Sequence, residues 1–271
     1  MRRRTRRRKK RNAKGMWILN CCLLILFSIL IGGAIWWDLR EDQKTDGRQA
    51  EKVKPLTIET AEPVIEPDLT EIYSESGIVV RLKDGKVMTQ FNQNERIFPA
   101  SLTKIMTCII AIEHIEDLEE TVVISPERYN ELYVQEASMA GFLPGEEARV
   151  IDLLYGSMLP SGGECSSALA ECAAGSEEKF VELMNEKAEQ LGMKETHYVN
   201  ATGLHDDRQY STVKDISLLL QYALGNDIFR EIFCTKAYAV LPTPKHLDGF
   251  VFQSSMFSLR DDWTLEEGEI K

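Results

Sequence analysis

One apolar segment constrains the fold of this chain more than any other feature. Residues 101–112 read SLTKIMTCIIAI, and Lys104 is their only charged side chain. A helix of this composition is hydrophobic on almost every side, which is typical of a helix inside a domain rather than on its surface. The chain therefore has to build a core around this segment and take a lysine into it.

The buried lysine predicts a group that can accept a proton. An ammonium group in a core is costly, so it is either paired or has a pKa lowered by desolvation, and in the second case it accepts a proton near neutral pH. Ser101 lies three residues before Lys104, on the same helix face, which brings its hydroxyl within reach of the amine. The pair has the form of a serine nucleophile with a lysine base. The alternative is a core lysine whose ammonium reaches solvent.

The same spacing occurs a second time, at Ser176 and Lys179. There Glu177 and Glu178 directly follow the serine, a pattern typical of an N-cap with acids in the first turn of a solvated helix. Spacing alone does not distinguish the two serines. The apolar surroundings favour Ser101, because functional pKa shifts are expected where a titratable group is desolvated.

The N-terminus carries a membrane signal. Residues 1–14 contain ten Lys and Arg and no acid, and Met16–Trp37 is an uncharged run of 22 residues with tryptophans at both ends. This pattern predicts a basic cytoplasmic tail (1–14), a transmembrane anchor (15–37) and an extracytoplasmic remainder. The rival is a cleaved signal peptide, but the apolar run exceeds a typical signal-peptide core and no A-x-A site precedes Asp38.

Charge argues against a nucleic-acid partner. The chain has 32 basic and 43 acidic residues, so removing the ten basic residues of the tail leaves 22 against 43, a net charge of −21. Such a surface repels polyanions. The four cysteines outside the membrane run are too few for a disulfide scaffold, and the scattered histidines predict no metal site.

Residues 38–70 lack helical or strand periodicity and predict an extracytoplasmic linker, which leaves one domain at 71–271. A hairpin signal at 77–91 and further strands near 237–254 flank a helical middle, which indicates a mixed α/β layer fold.

The second chemical element is the turn Pro160-Ser161-Gly162-Gly163, between predicted apolar helices at 148–159 and 166–174. It places the hydroxyl of Ser161 among small residues that let a ligand approach closely. Alone, such a turn is more often only a helix connection.

Together with these two elements, a series of segments resembles the low-molecular-weight penicillin-binding proteins, the serine D-alanyl-D-alanine carboxypeptidases. The segments are YSESGIVV, FPASLTKIMT, AGFLPGEEARVIDLLYGSMLPSGGECSSALAE, GMKETHYVNATGL and YSTVKDIS, in the family's order across 71–271. The resemblance implies an α/β (α+β) fold of the β-lactamase/transpeptidase type, with a helical cluster beside an antiparallel sheet. It also implies a cofactor-free hydrolase of the bacterial cell membrane, acting on peptidoglycan stem peptides that end in D-Ala-D-Ala and acylated by β-lactams.

Carried over residue by residue, Ser101 resembles the acylated serine and Lys104 its base. Ser161 resembles the serine of the Ser-x-Asn element, which relays protons and orients the substrate amide. Gly163 departs from the pattern, because the family usually has Asn there. The Lys-Thr-Gly element, whose strand supplies an oxyanion-hole N–H in the family, occurs nowhere in the 271 residues. We therefore expect the C-terminal strands to be missing from a truncated chain.

Two alternatives remain at this point. A serine β-lactamase shares the fold and the Ser/Lys pair but needs a deacylating glutamate, for which Glu195 lies in roughly the right region. The other alternative is a catalytically degenerate penicillin- or peptidoglycan-binding membrane module, for which Gly163 and the absent Lys-Thr-Gly argue.

Overall fold

The described part of the protein is residues 72–257 of a computed structural model. The predicted tail, membrane anchor and linker lie outside these residues. Within 72–257, none of the helices has the length and apolar character needed to cross a membrane.

The first two strands form the predicted hairpin. Strand β1 (Gly77–Arg81) pairs antiparallel with β2 (Lys86–Phe91), with Gly77 opposite Phe91. Gly85 turns the chain at φ +69°, in the left-handed region that glycine adopts without steric cost. The hairpin prediction is confirmed.

Helices make up the middle of the described region. There are seven between residues 72 and 257: α1 (Thr103–His114), α2 (Pro126–Val134), α3 (Val150–Met158), α4 (Gly163–Ala174), α5 (Glu177–Leu191), α6 (Val213–Ala223) and α7 (Asp227–Cys234). The remaining strands there are β3 (Thr121–Val123), β4 (Glu147–Arg149), β5 (Ala237–Val240) and β6 (Phe250–Gln253). Strand β3 pairs with β4 and β5 with β6, so the described strands form three separate two-stranded antiparallel sheets.

Helix α1 is the centre of the core, as its composition predicts. Every residue from Thr103 to Ala111 is buried, and the helix packs against α3, α4, α5, α6 and α7. The helix differs from the expectation at its start. Residues Ala100–Leu102 form a 3-10 turn, and α1 begins only at Thr103. Ser101 therefore lies on the turn at the entrance of the buried helix.

The predicted N-cap at Ser176 is also confirmed. The Ser176 Oγ accepts a hydrogen bond from the backbone N–H of Lys179, so this serine caps α5. Gly192 ends the same helix at φ +76°. Thr212 caps α6 through the backbone N–H of Asp215. The second Ser-x-x-Lys match is thus a structural cap.

The sequence pattern did not predict helices α2 and α7. Both carry local start signals, since Ser125 accepts from the backbone N–H of Arg128 and Asn226 from that of Phe229. Helix α4 begins at Gly163 rather than at residue 166, which places the Ser161 turn directly against a helix N-terminus.

Candidate active site

Ser101 and Lys104 meet where the 3-10 turn joins α1. The Lys104 Nζ donates to the Ser101 Oγ at 3.3 Å and to the backbone carbonyl of Thr202 at 2.6 Å. Lys104 is 5% exposed, whereas Ser101 is exposed. The structure thus sets a solvent-accessible hydroxyl above a buried amine, and the alternative of a lysine reaching out to solvent is wrong.

Ser161 completes the cluster from the turn between α3 and α4. Its hydroxyl donates to the Ser101 Oγ at 2.7 Å. Its backbone has φ +67°, a region that residues with a Cβ adopt only when their surroundings impose it. The three residues predicted from the sequence therefore form one continuous hydrogen-bonded chain, Lys104–Ser101–Ser161.

Burial determines the basicity of Lys104. Desolvation lowers the pKa of Lys104 from its ordinary 10.5 to about 8. The thiols of Cys108 and Cys165 carry no charge near pH 8, because burial raises the pKa of Cys108 to about 12 and that of Cys165 well above its ordinary range. They therefore do not stabilise the ammonium form of Lys104 at this pH. Lys104 consequently has a large neutral fraction at mildly alkaline pH, which a proton acceptor requires.

The loop at residues 199–204 supplies the Thr202 carbonyl that accepts from Lys104. The Asn200 Oδ1 accepts from the backbone N–H groups of Thr202 at 3.2 Å and Gly203 at 2.8 Å, which shapes the loop as an Asx-type turn. The Thr107 Oγ1 on α1 donates to the carbonyl of Ala201 at 2.7 Å. The sequence pattern did not single out these residues, although an Asn three residues before a Gly is a turn signal.

Gly203 allows this loop to contact the 3-10 turn that contains Ser101. It has φ +81°, and a Cβ at this position would lie 2.0 Å from the carbonyl oxygen of Ala100. Only a glycine permits so close an approach of the two backbones. The position of Ser101 therefore depends on a residue about 100 positions later in the chain.

Gly163, the departure from the family pattern, is covered by neighbouring backbone. Its N–H donates to the carbonyl of Ser138 at 2.7 Å. A Cβ there would lie 3.2 Å from the Ala137 Cβ and 3.3 Å from the Ser138 oxygen, so any larger side chain requires that segment to move. The Ala137 side chain and the Ser138 carbonyl therefore lie where a side chain at residue 163 would begin.

Glu195 does not join the cluster. Its carboxylate binds the guanidinium of Arg96 at 2.9 and 2.7 Å and is half-exposed. Within residues 72–257 it makes no hydrogen bond to Ser101 or Lys104. This geometry does not supply the deacylating glutamate that a β-lactamase needs.

A cleft of about 600 Å³ shares Thr202 with the surroundings of Lys104, and Asn200, Arg128 and Glu177 also line it. No group of three or more His, Cys, Asp or Glu side chains in the described part is arranged to hold a metal ion. What the site presents is a serine, a lysine and a second serine in one hydrogen-bonded chain.

A family model, D-alanyl-D-alanine carboxypeptidase, matches residues 60–246. The chain belongs to this family. Among its relatives, DacF of Bacillus subtilis is 39% identical over 155 residues, covering 56% of this chain and 39% of that protein. DacA of Escherichia coli K12 is 36% identical over 172 residues, covering 61% and 42%. The chain thus spans about two fifths of the length of these carboxypeptidases.

Solved structures confirm the predicted fold class. A Streptomyces DD-transpeptidase superimposes with a TM-score of 0.63 at 26% identity, over 68% of this chain and 74% of the other. A D-alanyl-D-alanine carboxypeptidase from Mycobacterium tuberculosis gives 0.61 at 26% identity, over 69% and 68%. Both carry the β-lactamase/transpeptidase-type fold that the family resemblance implied.

The backbone contact at Gly203 gives a direct test of how the site is built. We expect Gly203→Ala to lower the free energy of unfolding by at least about 2 kcal/mol more than Gly192→Ala does, because overpacking adds to the backbone strain. Gly192 is a matched control, since it has φ +76° but nothing within 4 Å of its Cβ position. Urea unfolding measures both, and equal losses would refute the contact.

Proposed function

We propose that this protein is a serine-type D-Ala-D-Ala carboxypeptidase, which removes the terminal D-alanine of peptidoglycan stem peptides through an acyl-enzyme on Ser101. The observation that carries the proposal is the hydrogen-bonded chain of Lys104, Ser101 and Ser161. Membership of the D-alanyl-D-alanine carboxypeptidase family supports the substrate class.

The reaction begins with the neutral amine of Lys104. In the ammonium form, Nζ donates to both the Thr202 carbonyl and the Ser101 Oγ. After the loss of one proton, an N–H stays on the Thr202 carbonyl, and the lone pair accepts the hydrogen bond of the Ser101 hydroxyl. Lys104 takes the hydroxyl proton while the Ser101 Oγ attacks the carbonyl carbon of the penultimate D-alanine. This step produces a tetrahedral intermediate and an ammonium on Lys104.

Ser161 transfers the proton to the leaving group. Its hydroxyl touches the Ser101 Oγ, so it lies beside the bond that breaks. The ammonium proton passes through this hydroxyl to the leaving nitrogen, and D-alanine departs as the acyl-enzyme forms. Water then attacks the ester, Lys104 accepts the proton of the water, and the same proton returns to Ser101.

The proposal is tested with a peptide ending in D-Ala-D-Ala and with a fluorescent penicillin. In a chain extended through a Lys-Thr-Gly strand, we expect D-alanine release and one penicilloyl adduct, located by mass spectrometry on the peptide that contains Ser101. Ser101→Ala should abolish both. The matched control Ser176→Ala should keep both and lose only about 1 kcal/mol of stability, because Ser176 is a helix cap.

Other outcomes distinguish the alternatives. Fast turnover of penicillin would instead indicate a β-lactamase. A stable adduct without any release of D-alanine would indicate a degenerate binding module, and an adduct on Ser176 would refute the assignment of the nucleophile.

The role of Lys104 as base yields a second prediction. Lys104→Arg keeps a positive charge, but a guanidinium does not deprotonate in proteins, so acylation by penicillin should slow by at least about 100-fold. Lys179→Arg, at an exposed position of α5, is the matched control and should acylate normally. Acylation rates of variants with equal melting temperatures measure this, and near-normal acylation of a folded Arg variant would remove Lys104 from the mechanism.

We also propose that residues 15–37 anchor the protein in the bacterial cell membrane, with the domain outside. The uncharged run between tryptophans and the basic tail before it support this. We expect N-terminal sequencing of the membrane fraction to find residues 1–14 still attached. A mature protein that starts after about residue 37 would contradict an uncleaved anchor.

A further inference from the structure

Glu164 is a buried acid next to the candidate active site to which the mechanism above gives no role. It occupies the first turn of α4, three residues after Ser161, and it is 2% exposed. A buried carboxylate is costly unless it is hydrogen-bonded or paired. Its contacts therefore indicate what keeps it there.

One carboxylate oxygen of Glu164 binds a neighbouring backbone segment. The Oε1 accepts from the backbone N–H groups of Ala140 at 2.7 Å and Gly141 at 3.0 Å. Gly141 has φ +119°, so the segment turns sharply where the carboxylate holds it. We name residues 137–141 the covering segment.

The covering segment in turn shapes the Ser161 turn. The carbonyl of Ser138 accepts from the Gly163 N–H at 2.7 Å. Ala140 lies so close to Gly162 that a Cβ on the glycine would be 2.6 Å from the Ala140 Cβ. The two glycines offer no side chains of their own, so the strained backbone of Ser161 is held largely by this packing.

We propose that Glu164 is a positioning residue for both serines: its carboxylate clamps the covering segment onto the Ser161 turn. The inference rests on the proposed function. In this proposal, the backbone of the covering segment, held by Glu164, supports the Ser161 turn, because Gly163 has no side chain that could do so.

The charge of Glu164 is not cancelled locally. The titratable groups near it are Lys104 on α1, Arg128 and Tyr129 on α2, and Cys165 and Glu171 on α4. Arg128 shares a cavity of about 10 Å³ with Glu164, but its guanidinium forms ion pairs with Glu131 and Glu177. Within residues 72–257, Glu164 has no ion pair, and its Oε2 has no hydrogen-bond partner.

The direction of the electrostatic effect follows from the sign of the charge. Desolvation lowers the pKa of Lys104, and the negative charge of Glu164 partly raises it again. Burial also raises the pKa of Glu164 above its ordinary value, although the backbone N–H groups of Gly141 and Ala140 favour its charged form. Removing that charge lowers the pKa of Lys104 further. The neutral amine is then available at lower pH, so the rise of acylation with pH moves toward acid.

Two variants separate the clamp from the charge. Glu164→Gln keeps an acceptor oxygen of the same shape, so we expect a maximal acylation rate within about threefold of wild type, and a midpoint of the pH profile about half a unit or more lower. Glu164→Ala loses the clamp as well, so its maximal rate should fall by about tenfold or more. Glu171→Gln, on the same helix without a bond to the covering segment, should change neither the rate nor the midpoint.

The full chain also permits readouts that do not depend on activity. NMR titration of ¹³C-labelled lysine should show a lower pKa of Lys104 in Glu164→Gln, and amide hydrogen exchange at Ala140 and Gly141 should accelerate in Glu164→Ala. An unchanged Lys104 titration together with unchanged exchange would overturn the proposal. If wild type forms no penicilloyl adduct, the proposed function fails, while these two measurements still decide the role of Glu164.

Discussion

The hydrogen bond between Lys104 and the carbonyl of Thr202 is the contact on which the rest of the site depends. It gives a polar partner to an amine that is 5% exposed in the middle of an apolar helix. A neutral carbonyl compensates for part of the lost hydration without adding a full negative charge, so desolvation still lowers the pKa of Lys104 to about 8. A carboxylate in the same place would keep the lysine protonated. The fold thus stabilises the amine and preserves its basicity.

Backbone packing, rather than side-chain packing, places the two serines. Gly203 brings the 199–204 loop against Ala100 on one side of Ser101. On the other side, Gly162 and Gly163 allow the covering segment to lie on the Ser161 turn. Each contact leaves no room for a Cβ on the glycine. The positions of the two hydroxyls therefore depend on glycines that take no part in the reaction. A small shift of either backbone would separate hydroxyls that now lie 2.7 Å apart.

The Gly163 departure has a structural meaning in this arrangement. An Asn there would need room that Ala137 and Ser138 occupy. The covering segment that occupies this room is the one that the buried Glu164 holds.

The amino-acid sequence by itself determined the elements whose signals are local. The apolar composition of 101–112 predicted a buried helix, Ser176 predicted a helix cap, and the signal at 77–91 predicted a hairpin. The structure confirms each of them. The spacing of Ser101 and Lys104 predicted that the two side chains meet, since three residues bring them to one face. Local signals for α2 and α7 were also present, in Ser125 and Asn226. In α7, Phe229, Ile232 and Phe233 also recur at helical spacing and are buried, so the sequence held enough information to predict this helix.

Tertiary structure alone decided the contacts between residues distant in the chain. Ser161 lies 60 positions from Ser101 and Thr202 lies 98 from Lys104, and no periodicity or spacing relates such positions. The roles of Gly203 and Glu164 are likewise invisible locally, because a close backbone approach or a buried carboxylate is defined by what packs against it. The apolar helix required the lysine to be buried, and only the folded chain supplied the carbonyl that receives it and the serine that completes the site.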